Sequence, residues 1–219
     1  MGKGAYLALG TAGAGSLGVG GLVALKPWEE SKVVVSIKQK YPLAILDASK
    51  DTDIWNKKYS NLSKSSPHHP ILKKALSKSK TPNANESEAK ELLKSGCLEI
   101  YESNVDDPNN FQDFKSLCSK TNEDATKSNA HWIQEETSKS SGNKWDTVLT
   151  SLKGHGTSNN WILDKTLEEL KQAIQSSSNT FSEENRNKLK AWCDATKLEV
   201  FKGEETEEFR SQEAFCKYN

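Results

Sequence analysis

Arginine is almost missing from this chain: Arg186 and Arg210 are the only two among 30 basic residues, and 30 acidic residues bring the net charge to zero. A neutral balance excludes a general role in holding polyanions such as nucleic acid. One segment, residues 50–94, holds ten lysines against five acids. Its aromatics are too sparse for a base-stacking platform, and it reads as a solvated face with a flexible linker. Lysine, asparagine and serine are abundant instead, the residues of AT-rich codons, which points to an AT-rich bacterial genome. Catalytic signatures are missing too. There is no GxSxG, no P-loop, and no HExxH around His131-Trp132. The four cysteines contain no CxxC pair, so zinc and thioredoxin-like sites lack their spacing. Apolar residues make up only 34% of the chain and are concentrated at its start, so any core beyond that point is small and needs staples.

The chain does hold a long uncharged run. Residues 4–25, between Lys3 and Lys26, are mostly Gly, Ala, Leu and Val. As a helix they span roughly 33 Å against a hydrocarbon core of ~30 Å. Small residues recur every fourth position: Gly4, Ala8, Ala12, Ser16 and Gly20 form one row, and Gly10, Ala14 and Gly18 another. Such rows let two helices approach closely, which makes a homo-oligomer through them an expectation. Tyr6 and Trp28 sit where interfacial aromatics belong, and Pro27 ends the helix. The GxGxxG spacing inside this run follows no strand and reads as anchor, with no cofactor implied. The alternatives are a cleaved signal ending near Ala24, although the apolar run exceeds the usual ~7–15 residues, and a buried or disordered Gly-rich tail.

The cysteines mark two copies of one pattern. Trp55 is followed by Leu62, and Trp145 by Leu152, both seven residues on. A helical segment then runs into a cysteine: Glu88-Ala-Lys-Glu-Leu-Leu-Lys-Ser-Gly-Cys97 in one copy, Glu184-Asn-Arg-Asn-Lys-Leu-Lys-Ala-Trp-Cys193 in the other. An aromatic follows, Tyr101 or Phe201, and phenylalanines precede the last cysteine of each copy: Phe111 and Phe114 before Cys118, Phe209 before Cys216. The offset drifts from 90 residues at the tryptophans to 98 at the final cysteines, as small loop insertions would produce. Three pairings of four cysteines exist. The internal symmetry favours Cys97 with Cys118 and Cys193 with Cys216, each loop worth roughly 3 kcal/mol by loop entropy. An even cysteine count beyond a membrane anchor fits an oxidising exterior.

Periodicity predicts helices over 51–62, 87–101, 111–118, 145–152, 164–176, 182–201 and 204–216, with a short strand possible near 43–46. The expected fold is mainly α with short β segments. A transmembrane anchor or signal over 1–28 precedes a first Trp/Cys module over 29–120 and a second over 121–219. Trp55, Trp145 and Trp192 are the expected core anchors. His68 and His69 lie in a Pro-flanked loop, and His155 lies in a turn between Gly154 and Gly156; none has a partner pattern for metal or for general base work. Glu204, Glu205, Glu207 and Glu208 lack the EF-hand order and read as a helix start. No catalytic, cofactor or metal residue is assigned.

Ala8-Leu-Gly-Thr-Ala-Gly-Ala-Gly15, Ser36-Ile-Lys38, Ala44-Ile-Leu46, Trp55 with Tyr59 and Leu62, Trp192-Cys193 and Cys216 together give an outline. It resembles the lineage-specific paralogous proteins of haemotropic mycoplasmas. Gly96-Cys97 departs from the Trp-Cys pair of that pattern. The resemblance implies surface exposure and antigenic variation on a wall-less cell, and it carries no catalytic residue. The expected function is therefore that of a single-pass cell-membrane protein with its bulk outside the cytoplasm. It would work by display or contact with a host protein. The alternatives are a module binding an extracellular ligand or a membrane-complex partner, and an enzyme of unrecognised class.

Overall fold

A computed structural model describes residues 34–80, 84–126, 131–156, 159, 161–178 and 180–218. The anchor run and its small-residue rows lie outside the described residues, among which no helix is long and apolar enough to cross a membrane. The fold is mainly helical.

Ser36 starts the described chain with a capping box to Gln39, opening α1 (Ile37–Lys40). Pro42 fixes φ and needs no N–H donor, so it suits the first position of a helical turn. The 43–46 strand expectation is replaced there by a 3₁₀ turn, Pro42–Ala44, and a single bridge between Ile45 and Ser119. Next come α2 (Thr52–Leu62), α3 (Pro70–Lys78), α4 (Glu86–Glu102) and α5 (Pro108–Asp113), whose end widens into a π turn, Phe114–Cys118. The short α6 (Asn122–Ala125) and β1 (His131–Trp132) lead to α7 (Lys144–Lys153), α8 (Lys165–Ala173), α9 (Glu183–Thr196) and α10 (Glu207–Phe215). β2 (Lys217–Tyr218) pairs antiparallel with β1, Trp132 opposite Lys217. The last helix begins at Glu207, three residues later than periodicity suggested, because Thr206 caps it.

Buried side chains gather in two cores. One holds Ile37, Leu46, Trp55, Leu62, Leu72, Leu93, Ile100, Tyr101, Phe114 and Leu117; the other holds Ile133, Trp145, Leu149, Leu152, Leu167, Leu170, Leu189, Trp192 and Phe215. The same order of parts builds each. In α2 and α7 an early tryptophan donates its indole N–H to a backbone carbonyl just upstream: Trp55 to Asp47 at 3.0 Å, Trp145 to Glu135 at 2.9 Å. Leu62 and Leu152 are fully buried seven residues on. The segment before the tryptophan helix also meets the residue after the last cysteine, as Ile45–Ser119 and as Trp132–Lys217.

The two cores differ at Gly96, which precedes Cys97 where Trp192 precedes Cys193. A Cβ on Gly96 would meet Leu72 Cδ2 at 2.7 Å, so α3 lies directly on α4 only because that position has no side chain. In the other copy Trp192 stands at this place and donates its indole N–H to Asp164, the N-cap of α8. The N-terminus of α3 is capped differently, since His69 makes no side-chain cap. Asp113 of α5 reaches across, accepting from His68 N at 2.8 Å and His69 N at 2.7 Å.

Residues 34–219 form one compact unit. The connector around Thr121 runs antiparallel to the segment after α9: Asn122 N donates to Glu199 O at 3.0 Å, Glu123 N to Lys197 O at 2.9 Å, and Phe201 N to Lys120 O at 3.0 Å. Val200 of this segment belongs to the first core. Phe201 is accordingly no counterpart of Tyr101. Tyr101 lies one turn beyond Cys97 and donates to Cys118 O at 2.6 Å, whereas Phe201 lies past the end of α9 and meets Phe209 edge-to-face at 5.2 Å.

Candidate functional site

The residues singled out by the sequence are structural. Cys97 of α4 bridges Cys118 with Cα atoms 5.3 Å apart, and Cys193 of α9 bridges Cys216 at 5.6 Å. Each bridge lies within one of the two cores. Trp55, Trp145 and Trp192 are all buried.

The histidines do not converge. His68 and His69 serve through their backbone N–H groups at Asp113, and His131 lies in β1 near Tyr218. His155, expected in a turn between its glycines, is buried. Gly154 ends α7, and the His155 ring packs against Trp161 at 5.0 Å and Phe215 at 6.0 Å, with Nε2 unpartnered. Burial lowers its pKa, Lys171 lowers it further, and Glu168 partly offsets both. Among the described residues no group of three or more His, Cys, Asp and Glu could hold a metal ion.

Arg186 is a buried ionic tie that the sequence reading left unexplained. Its Nε and Nη2 reach Asp146 of α7 at 2.6 and 3.0 Å, and Nη1 donates to Thr137 O and Lys139 O at 3.0 and 2.9 Å. Only a planar fork can satisfy four acceptors in this arrangement. In a chain that otherwise uses lysine, the rarity of arginine was the available signal.

One concavity lies beside the connector around Thr121. A groove of about 600 Å³ is bounded by α2, by α5 and its π turn, and by the segment after α9. Phe111, Pro108 and Leu198 supply apolar surface; Lys57, Lys58 and Lys115 supply three ammonium groups, and Glu123 and Glu199 two carboxylates. At one end is the α6 capping box. Thr121 N and Oγ1 donate to Asp124 Oδ2 at 3.0 and 2.8 Å, and Lys57 Nζ donates to Oδ1 at 2.9 Å. Burial opposes charge on Asp124. The hydrogen bonds from Lys57 and Thr121, with the Lys58 charge, outweigh it and hold the carboxyl below its ordinary value. Lys57 is also desolvated, but its bonds to Glu123 and Asp124 raise its pKa. Lys58 goes the other way. Burial is the largest influence, the neighbouring Lys57 adds to it, and Asp124 offsets it only in part, so the pKa falls. Nothing in the local sequence distinguished Lys58 from the other lysines of the basic segment. Lys58 is buried beside Asp124 of the α6 capping box.

No protein-family model, curated protein or solved structure matches the chain.

Proposed function

We propose that this chain is a single-pass membrane-anchored protein whose disulfide-stapled helical part is displayed outside the cell. There it would serve host-cell contact, antigenic variation, or both. The observation that carries this reading is the closure of all four cysteines into two bridges, one per core, with no free thiol among the described residues. Disulfides of this kind persist in oxidising exteriors and are rare in a reducing cytoplasm. The uncharged residues 4–25 supply an anchor of spanning length, and their small-residue rows supply a contact for a second anchor. The recurrence of Trp helix, Cys helix and final cysteine supports two duplicated modules behind that anchor. The resemblance to the mycoplasma paralogues agrees with display on a wall-less cell.

Treatment of intact cells with a membrane-impermeant protease tests the reading. Loss of the 34–219 part is expected; complete protection in intact cells with cleavage after lysis would overturn it. A second reading, a ligand-binding module, is favoured by the groove beside Lys58.

A further inference from the structure

Lys58 lines the groove, yet its side chain is only 4% exposed. Its one charged neighbour within ion-pair range is Asp124, with Nζ 3.6 Å from Oδ2, beyond hydrogen-bond length. That oxygen already accepts twice from Thr121, and Lys57 occupies Oδ1. An ammonium has three donors. Among the described residues Lys58 donates to no partner within hydrogen-bond length, and the Asp124 ion pair offsets its desolvation only in part. Lys115, on the π turn after α5, lines the groove as well. Its pair with Glu199 at 3.2 Å is substantially exposed, the kind of pair that exchanges readily for a competing anion. The groove is also lined by the apolar surfaces of Phe111 and of Leu198, which is 58% exposed. The volume is within the ~300–1,000 Å³ usual for small-ligand sites.

We propose that this groove binds an amphiphilic anion, a carboxylate or phosphate head on a single acyl chain. The head accepts from Lys58 and Lys115, and the chain lies along Phe111, Pro108 and Leu198. Lys57 remains with Glu123 and Asp124 and positions the capping box. The site is independent of which side of the membrane the chain occupies, so its failure leaves the display reading intact.

The test uses the full chain in phosphatidylcholine nanodiscs and a dodecanoate carrying a diazirine, with labelled peptides sequenced. Label is expected on peptides containing Phe111 or Leu198, displaced by dodecanoate and not by uncharged dodecanol. Dodecanoate and lysophosphatidylglycerol as separate competitors distinguish a free acid from a lipid headgroup, and displacement by either supports the site. Lys58→Met removes the charge while Asp124 keeps Lys57 and Thr121, so the fold is retained, as an unchanged circular dichroism melt would verify. Its affinity for dodecanoate should fall about ten- to a hundredfold. The exposed Leu198→Asp should also weaken labelling without touching the core. Label confined to residues 1–33, equal affinity in Lys58→Met, or equal displacement by dodecanol would overturn the proposal.

Discussion

Replacing Gly96 by alanine sets two opposing effects against each other. Mid-helix glycine is worse than alanine by about 0.8–1.0 kcal/mol, so on propensity alone Gly96→Ala stabilises α4. Packing argues the reverse. The new Cβ would sit 2.7 Å from Leu72 Cδ2, 3.1 Å from Leu72 Cγ and 3.4 Å from Ile71 Cβ. Leu72 is fully buried in the first core and cannot swing into solvent. Either it leaves its rotamer or α3 moves off α4, an overpacking penalty of about 1–3 kcal/mol. The net expectation is a loss of about 1 kcal/mol, seen in urea unfolding as a lower midpoint with unchanged slope. Gly96→Trp, which would restore the Trp-Cys pair of the second copy, should be far worse, because α8 stands differently over Trp192 and caps its indole with Asp164. A Gly96→Ala protein more stable than the parent by the full propensity gain would refute the argument that close α3–α4 approach requires glycine.

Three further outcomes are expected. Arg186→Gln strips Asp146 and two carbonyls of a buried cation and should cost about 3 kcal/mol, the low end for breaking a buried pair because Asp146 retains some exposure, while Arg186→Lys recovers part of it; equilibrium denaturation measures both. Asp113→Ala orphans the His68 and His69 N–H groups at the start of α3 and should cost about 2 kcal/mol, with earlier hydrogen exchange in α3 than in α8. Asp124 has a depressed pKa in the folded chain, so its contribution is complete above the ordinary carboxylate range and is lost as pH falls through the folded value; the stability gap between the parent and Asp124→Asn should be constant near neutrality and close on acidification.

Much of the fold was legible because helical periodicity and caps act locally. Ser182 with Asn185 and Asp164 before Leu167 mark helix starts that the structure keeps within a residue or two. Trp55 with Leu62 and Trp145 with Leu152 appear as inward stripes at helical spacing. What stayed hidden depends on residues far apart in the chain. Asp113 caps a helix more than forty positions upstream, and no local pattern reports it. His155 looks like a turn residue from its glycines, and only the packing of Trp161 and Phe215 buries it. The strand expected at 43–46 lost to Pro42, a local signal that outranked the apolar run. The groove is the clearest case, since Lys58, Phe111 and Leu198 meet only through the crossing of the connector with the segment after α9.

The proposed display requires the chain to fold in an oxidising exterior as two stapled cores. Peptide mapping without reduction, on protein taken from its native cells with thiols blocked at lysis, tests this most directly. Linked peptides joining Cys97 to Cys118 and Cys193 to Cys216 are expected. Four alkylated free thiols, or bridges crossing between the two pairs, would contradict it.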